Sequence, residues 1–138
     1  MEAVMKKFIS LALFLMLIIV WSVPVAAFDG ALRGAKVYGG NGNAVLSNVS
    51  RDYSNLTITI YGDTNFSSES NITFRAYAVG STSNRKSNAI SFYANDWYSG
   101  QSKTVNYING LASNLDLRGT IPNQNSTAYA MFYGYVKL

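Results

Sequence analysis

The stretch that decides the fold is Leu56–Tyr61, which reads LTITIY. Successive side chains of a strand point to opposite faces, so the apolar residues at positions 56, 58 and 60 lie on one side of an extended chain. Two threonines and a tyrosine lie on the other side. Residues this rich in β-branched types fit a half-buried pleat. The stretch therefore predicts a strand with one face in a core and the other toward solvent.

The same period of two recurs along the rest of the chain, whereas the helical period of 3.6 is not found. Both faces of the last of these segments, Thr127–Leu138, are apolar, which predicts a central position for it in a sheet. The further predicted strands are Asn71–Val79, Ala89–Asn95, Gln101–Ile108, a short run around Leu115 and Leu117, and Thr127–Leu138.

Turn signals rich in glycine, asparagine and proline separate these segments. Asn109-Gly110 is the sharpest of them, because a type I′ hairpin needs two residues that tolerate positive φ. Seven or eight short strands with such spacing predict an all-β domain, specifically a single antiparallel β-sandwich. The predicted core consists of Leu56, Ile58, Ile60, Ile72, Phe74, Ala76, Ile90, Phe92, Val105, Leu115, Leu117, Ala130, Phe132 and Val136.

The first 27 residues have the parts of a secretory signal peptide. Lys6 and Lys7 form the basic region, and the apolar region runs over Phe8–Val20. Small residues at positions 25–27 have the spacing that signal peptidase reads. An uncleaved anchor is the alternative, against which Pro24 argues. We expect a signal peptide over residues 1–27, a β-sandwich domain over residues 28–138, and an extracellular protein without a stable membrane anchor.

The 138-residue chain contains no cysteine and no histidine. It therefore has no disulfide, no thiolate nucleophile, no imidazole base and no zinc or haem site of the usual ligands. A Ser-His-Asp hydrolase is excluded for the same reason. The carboxylates, Asp116 among them, look loop-borne or exposed, which is unsuited to glycoside hydrolysis. We expect a protein that is not an enzyme and has no cofactor.

The charge balance is mildly basic. Without the leader, nine basic and six acidic residues remain, a net charge of +3. The basic residues are spread from Arg33 to Lys137 with no cluster along the sequence. This favours anionic surfaces weakly and is too little for nucleic-acid binding. We expect no nucleic-acid partner.

Five aromatic residues are candidates for contact with a partner. Trp97 and Tyr98 lie in a predicted loop, where side chains are presented to ligands. Tyr129, Tyr133 and Tyr135 share one face of the last predicted strand, and tyrosines on a flat face can stack on sugar rings or dock a protein. The structural alternative is that cross-strand aromatic pairs only stabilise this face, and that Trp97 covers the core.

Oxygen-bearing side chains occupy alternate positions of Asp63–Glu69, as at the start of an EF-hand loop. The glycine expected at the sixth position of such a loop and the glutamate expected at the twelfth are missing. A polar hairpin loop explains the same residues. Calcium binding stays open, and no metal site is predicted.

The segment Met131–Tyr135, which reads MFYGY, resembles the aromatic termini of the lactococcin 972-like bacteriocins, small secreted β-sandwich proteins of Gram-positive bacteria. The size, the leader and the cysteine-free β content are similar as well. The chain lacks the tryptophan-rich start and the histidines of that family and is longer, so no functional residue is carried over. The resemblance implies a secreted antagonist of other Gram-positive bacteria.

Three functions are compatible with these features. The prediction is a secreted, non-catalytic binding module whose exposed aromatic residues contact a cell-surface glycan, such as that of the cell wall, or a protein. The alternative is the bacteriocin-like antagonist that the resemblance implies. A third possibility is a matrix protein that assembles through Thr127–Leu138, provided that this strand lies at a sheet edge.

Overall fold

The computed structural model describes residues 29–61, 64, 71–93, 100–108, 110 and 112–138. Within them the chain forms eight β-strands and no helix. The strands are β1 (Asp29–Gly39), β2 (Asn43–Ser50), β3 (Asn55–Ile60), β4 (Asn71–Ala78), β5 (Ile90–Tyr93), β6 (Ser102–Asn106), β7 (Asn114–Ile121) and β8 (Tyr129–Lys137).

The strands form one mixed sheet that curls until it is nearly a barrel. Its order is β5-β4-β7-β1-β8-β3-β6, and β2 pairs with β7 outside this path. One end of β7 also pairs with β1, whereas β2 pairs along residues 114–119. The two ends of the path approach each other, since Ser87 bridges Tyr107 and the Lys103 Nζ donates to the Ser91 carbonyl at 2.6 Å.

The prediction of an all-β chain with seven or eight strands is confirmed by the described residues. The prediction of purely antiparallel pairing is wrong, because β1 runs parallel to β7 where Tyr38 pairs with Thr120. Two separate sheets are not confirmed either, since the hydrogen bonding is continuous. An alternating pattern encodes which face of a strand is buried and carries no information on the direction of its neighbours.

The core lies inside the curled sheet and centres on three phenylalanines. The Phe74 ring lies 4.7 Å from the Phe132 ring and 6.5 Å from the Phe92 ring, and the last two are 6.1 Å apart. Of the predicted core residues, Val105 is only partly buried and the others are buried. The apolar residues that the prediction missed and the structure buries are Leu32, Val37, Ile121 and Leu138.

The last strand, β8, lies between β1 and β3 and is hydrogen-bonded on both sides. The prediction that this strand is central is therefore confirmed. The third functional possibility, assembly through this strand, requires an edge position, and that condition is not met because β8 has a neighbouring strand on each side.

The hairpin predicted at Asn109-Gly110 is wrong as well. The flanking strands have different partners, since β6 pairs with β3 whereas β7 pairs with β4, β2 and β1. Gly110 does have a positive φ of 74°, and Asn109 lies outside the described residues. The positive φ of Gly110 agrees with the local signal, but β6 and β7 are not neighbours in the sheet.

Replacement of Phe132 by alanine tests the importance of the phenylalanine cluster. The side chain is fully buried, so we expect Phe132→Ala to lower the free energy of unfolding by about 3–5 kcal/mol, from lost transfer energy and the cavity left behind. Chemical denaturation measures the change. The control is Val79→Ala at a turn position that is 47% exposed, where we expect a change within about 0.5 kcal/mol. Equal losses in the two variants would contradict this account of the core.

Candidate functional site

The outer face of β1 and β8 carries a row of tyrosines, and we call Tyr38, Tyr129, Tyr133 and Tyr135, together with Lys36, the aromatic face. Tyr129 is the most exposed of the tyrosines, with 55% of its surface accessible. Its ring centroid lies 5.9 Å from that of Tyr38 at 48°, and the Lys36 Nζ lies 5.1 Å from it. An ammonium over a tyrosine ring is attracted by the π-electrons, which holds both side chains in place.

The register of β1 and β8 brings the members of the aromatic face together. Tyr38 pairs with Tyr129, and Arg33 pairs with Tyr133. Between them the register shifts at a β-bulge that contains Gly34, whose φ is +68°. A Cβ at Gly34 would lie 3.2 Å from the Tyr133 Oη and from the Met131 Cε. The phenol of Tyr133 therefore lies across the bulge, where a side chain at position 34 would crowd it and where the positive φ favours glycine.

The backbone of Tyr133, in β8, is hydrogen-bonded to two residues that follow the end of β3. Its carbonyl accepts hydrogen bonds from the Tyr61 amide at 2.9 Å and the Thr64 hydroxyl at 2.8 Å. Its amide donates to the same Thr64 oxygen at 2.9 Å. Thr64 is buried, so one side chain satisfies two backbone groups that the sheet leaves open.

Rows of hydroxyl groups continue the aromatic face onto β3 and β6. Thr57 and Thr104 share a hydrogen bond of 2.8 Å, and Thr59 and Ser102 share one of 2.5 Å. Thr59 is also the cross-strand partner of Tyr135. Aromatic rings and hydroxyl groups therefore lie side by side on one rigid sheet surface.

The structure places three of the five sequence candidates, Tyr129, Tyr133 and Tyr135, on this one outer face. Trp97 and Tyr98 lie outside the described residues. Sequence reasoning missed Tyr38 and Lys36, because the bulge at Gly34 interrupts the alternation of β1. The alternation within residues 35–38 was the signal available.

Asp116 corrects the expectation that every carboxylate is exposed or loop-borne. It lies in β7 with 3% of its surface accessible. Its two oxygens accept hydrogen bonds from the backbone amides of Asn48 and Gly80, each at 2.9 Å. Asn48 has a positive φ of 52°. The carboxylate thus links an irregular part of β2 and the turn after β4 to β7, which is a structural role.

The described residues contain no group of three or more His, Cys, Asp or Glu side chains that could hold a metal ion. The Asp63–Glu69 segment, apart from Thr64, lies outside those residues, as does the predicted signal peptide at residues 1–27. No helix long and apolar enough to cross a membrane occurs in the described part of the chain.

Comparison with known proteins identifies no relative. No family model matches the chain, and no curated protein or solved structure matches it at a significant level. The resemblance to the bacteriocins stays a prediction.

The phenol of Tyr107 supplies a test of the packing near the sheet closure. Its Oη is buried without a hydrogen-bond partner, and the Arg51 Cζ lies 5.8 Å from its ring. Burial raises the pKa of Tyr107 from its ordinary 10.0 to about 12, partly opposed by the positive charge of Arg51. Burial favours the neutral phenol because the charged form is poorly solvated.

A spectrophotometric titration at alkaline pH checks this prediction. We expect one tyrosine to ionise near pH 12, above its ordinary value of 10.0, and this step to vanish in Tyr107→Phe. Because the folded pKa exceeds the unfolded one, the stability contributed by the neutral phenol is complete below pH 10 and is lost as the pH rises through 12. A titration in which Tyr107→Phe removes an ordinary step near pH 10 would contradict the burial.

Proposed function

We propose that the protein is a secreted, non-catalytic binding module that holds a cell-surface carbohydrate on its aromatic face. The observation that carries this proposal is the exposed Tyr129 ring, braced by Tyr38 and Lys36 at one end of the outward row Tyr129, Met131, Tyr133 and Tyr135. The apolar C–H face of a sugar ring stacks on an aromatic ring, and its hydroxyls need hydrogen-bond partners beside that ring. The aromatic face supplies the rings, and the hydroxyl rows supply polar partners beside Tyr135 at its other end.

A carbohydrate fits this surface better than a protein does. The centre of a protein interface is usually a patch of fully desolvated apolar side chains. The outer face instead mixes half-buried tyrosines with hydroxyl groups such as those of Thr57 and Thr104. The exposed large hydrophobic residues of the described part are dispersed over several strands and turns.

The rigidity of the site supports binding without a large ordering cost. The tyrosines of the aromatic face lie on β1 and β8, two long paired strands near the middle of the sheet. Side chains on such elements are held in place before the ligand arrives, so less conformational entropy is lost on association. The absence of histidine and cysteine from the chain supports a role in binding rather than catalysis.

We also propose that residues 1–27 are removed on export and that the remaining chain works as a two-layer β-sandwich outside the cell. The contact of 4.7 Å between Phe74 on β4 and Phe132 on β8 supports two layers, since these strands are not hydrogen-bonded to each other. A protein without cysteine depends on such packing in an oxidising compartment.

Binding to insoluble cell-wall glycan tests the proposed function. We expect the mature protein to sediment with peptidoglycan or to bind a glycan on an array, and Tyr129→Ala to weaken this about tenfold, as expected for loss of an aromatic anchor. Tyr93→Ala is the matched control, because Tyr93 is 50% exposed on β5 and also has a lysine near its ring, with the Lys103 Nζ at 5.6 Å. We expect this control to bind as the wild type does.

Two outcomes would overturn the proposal. One is the absence of binding to every glycan offered, and the other is an equal loss in the two tyrosine variants. Zones of growth inhibition on Gram-positive lawns, in the absence of glycan binding, would replace the proposal by the bacteriocin-like alternative.

A further inference from the structure

We propose that a second site on the outer surface, a cleft between β4, β7 and the turn after β1, binds one oxyanion group of the ligand. We call it the basic cleft. It has a volume of about 120 Å³, well below the 300 Å³ or more of a site that encloses a whole drug-sized molecule. Its lining includes Thr73, Arg75, Tyr77, Arg118, Thr120 and the glycine-rich turn at residues 40–42.

Two arginines lie directly opposite each other in this cleft. Arg75 on β4 and Arg118 on β7 are cross-strand partners in the antiparallel register. Like charges in that position destabilise a sheet. The acid beside them, Asp116, has its Oδ2 3.8 Å from the Arg118 Nη2, but both of its oxygens already accept backbone hydrogen bonds. The two guanidinium groups carry two positive charges and the carboxylate carries one negative charge, so the net charge at the cleft is positive.

The arginines also have unused hydrogen-bonding capacity. The Nε atoms of Arg75 and Arg118 are buried, and neither has a hydrogen-bond partner. A buried donor without an acceptor costs free energy, and such groups in a folded protein call for an explanation. An oxyanion in the cleft would offer acceptors to the two guanidinium groups and compensate the repulsion between their charges.

The surroundings hold the arginines ready for such a ligand. The Arg118 Cζ lies 5.8 Å from the Tyr77 ring, and its Nη1 approaches the Gly42 carbonyl at 3.4 Å. The Thr120 hydroxyl donates to the Gly40 carbonyl at 2.9 Å, which fixes the turn against β7. The Arg118 side chain is only 15% exposed. Its guanidinium is thus largely shielded from water, which strengthens its attraction for an anion.

The basic cleft adjoins the aromatic face. Thr120, at the edge of the cleft, is the parallel partner of Tyr38, whose ring packs on Tyr129. A polysaccharide could therefore place a sugar on the aromatic face and an attached anionic group in the cleft. The class of ligand that follows is a glycan that bears phosphate or carboxylate groups. This identity of the carrier rests on the proposed function, whereas the anion site does not.

Inorganic phosphate is the first probe, tested by titration calorimetry and by the shift in melting temperature at constant ionic strength. We expect one phosphate per chain and a rise in melting temperature with phosphate, as ligand linkage requires. We expect at least a tenfold loss of affinity in Arg75→Gln and in Arg118→Gln. Arg33→Gln removes the same charge from an exposed position of β1 that does not line the cleft and serves as the control, with affinity within twofold of the wild type.

The stability of the free variants distinguishes an anion site from a structural role. Removal of one of two opposed charges relieves their repulsion, so without phosphate we expect Arg75→Gln to melt at the same temperature as the wild type or higher. Arg75→Lys keeps the charge and should retain part of the phosphate response. A lower melting temperature of Arg75→Gln without phosphate, or an equal loss of affinity in Arg33→Gln, would overturn the proposal.

Polymers then identify the carrier of the anion. The probes are a phosphate-linked wall polymer, a uronic acid polymer and a neutral glucan. We expect the protein to retain either the phosphate-linked polymer or the uronic acid polymer in preference to the glucan, and Arg118→Gln to lose this preference. The polymer retained identifies the anionic group as phosphate or carboxylate. Binding of phosphate without retention of any polymer would leave the anion site standing and refute the proposed function. Equal retention of all three polymers by the wild type and Arg118→Gln would refute the anion site alone.

Discussion

The contact between the phenylalanine rings of β4, β5 and β8 is the interaction on which the rest of the structure depends. Phe74 and Phe92 lie on strands that are hydrogen-bonded to each other, whereas Phe132 lies on β8, which is bonded only to β1 and β3. Among the residues that the structure describes, no ladder pairs β8 directly with β4 or β5, which are linked to it only through β7 and β1. Apolar burial therefore brings the curled sheet back onto itself, and with no cysteine in the chain no covalent bond assists it.

The closed sheet presents its outward side chains to solvent on a rigid surface. The aromatic face and the basic cleft lie on strands with paired neighbours, so their side chains have little freedom before a ligand arrives. Both sites also contain an element that the sheet alone does not require. One is the Gly34 bulge below the Tyr133 phenol, and the other is the opposed arginine pair.

The strands with strict alternation were predictable, and the strands with bulges were not. β3 alternates without interruption, and its three apolar residues are buried as predicted. In β1, Leu32 and Val37 are an odd number of positions apart and would face opposite sides of a regular strand. The bulge between Arg33 and Ala35 adds a residue and turns both inward. Two register shifts in β2 hide its pattern in the same way.

The sequence by itself determined which side of each regular strand is apolar, because the alternation of side chains is a local property of the backbone. It also excluded the chemistry of cysteine and histidine, and it identified three tyrosines on one face of β8. Only the tertiary structure decided the neighbours. The parallel contact of β1 with β7, the addition of Tyr38 and Lys36 to the tyrosine row, and the meeting of Arg75 with Arg118 all join residues far apart in the chain. Strand order and register are set by the way the apolar faces fill one common core, and no local pattern records that arrangement.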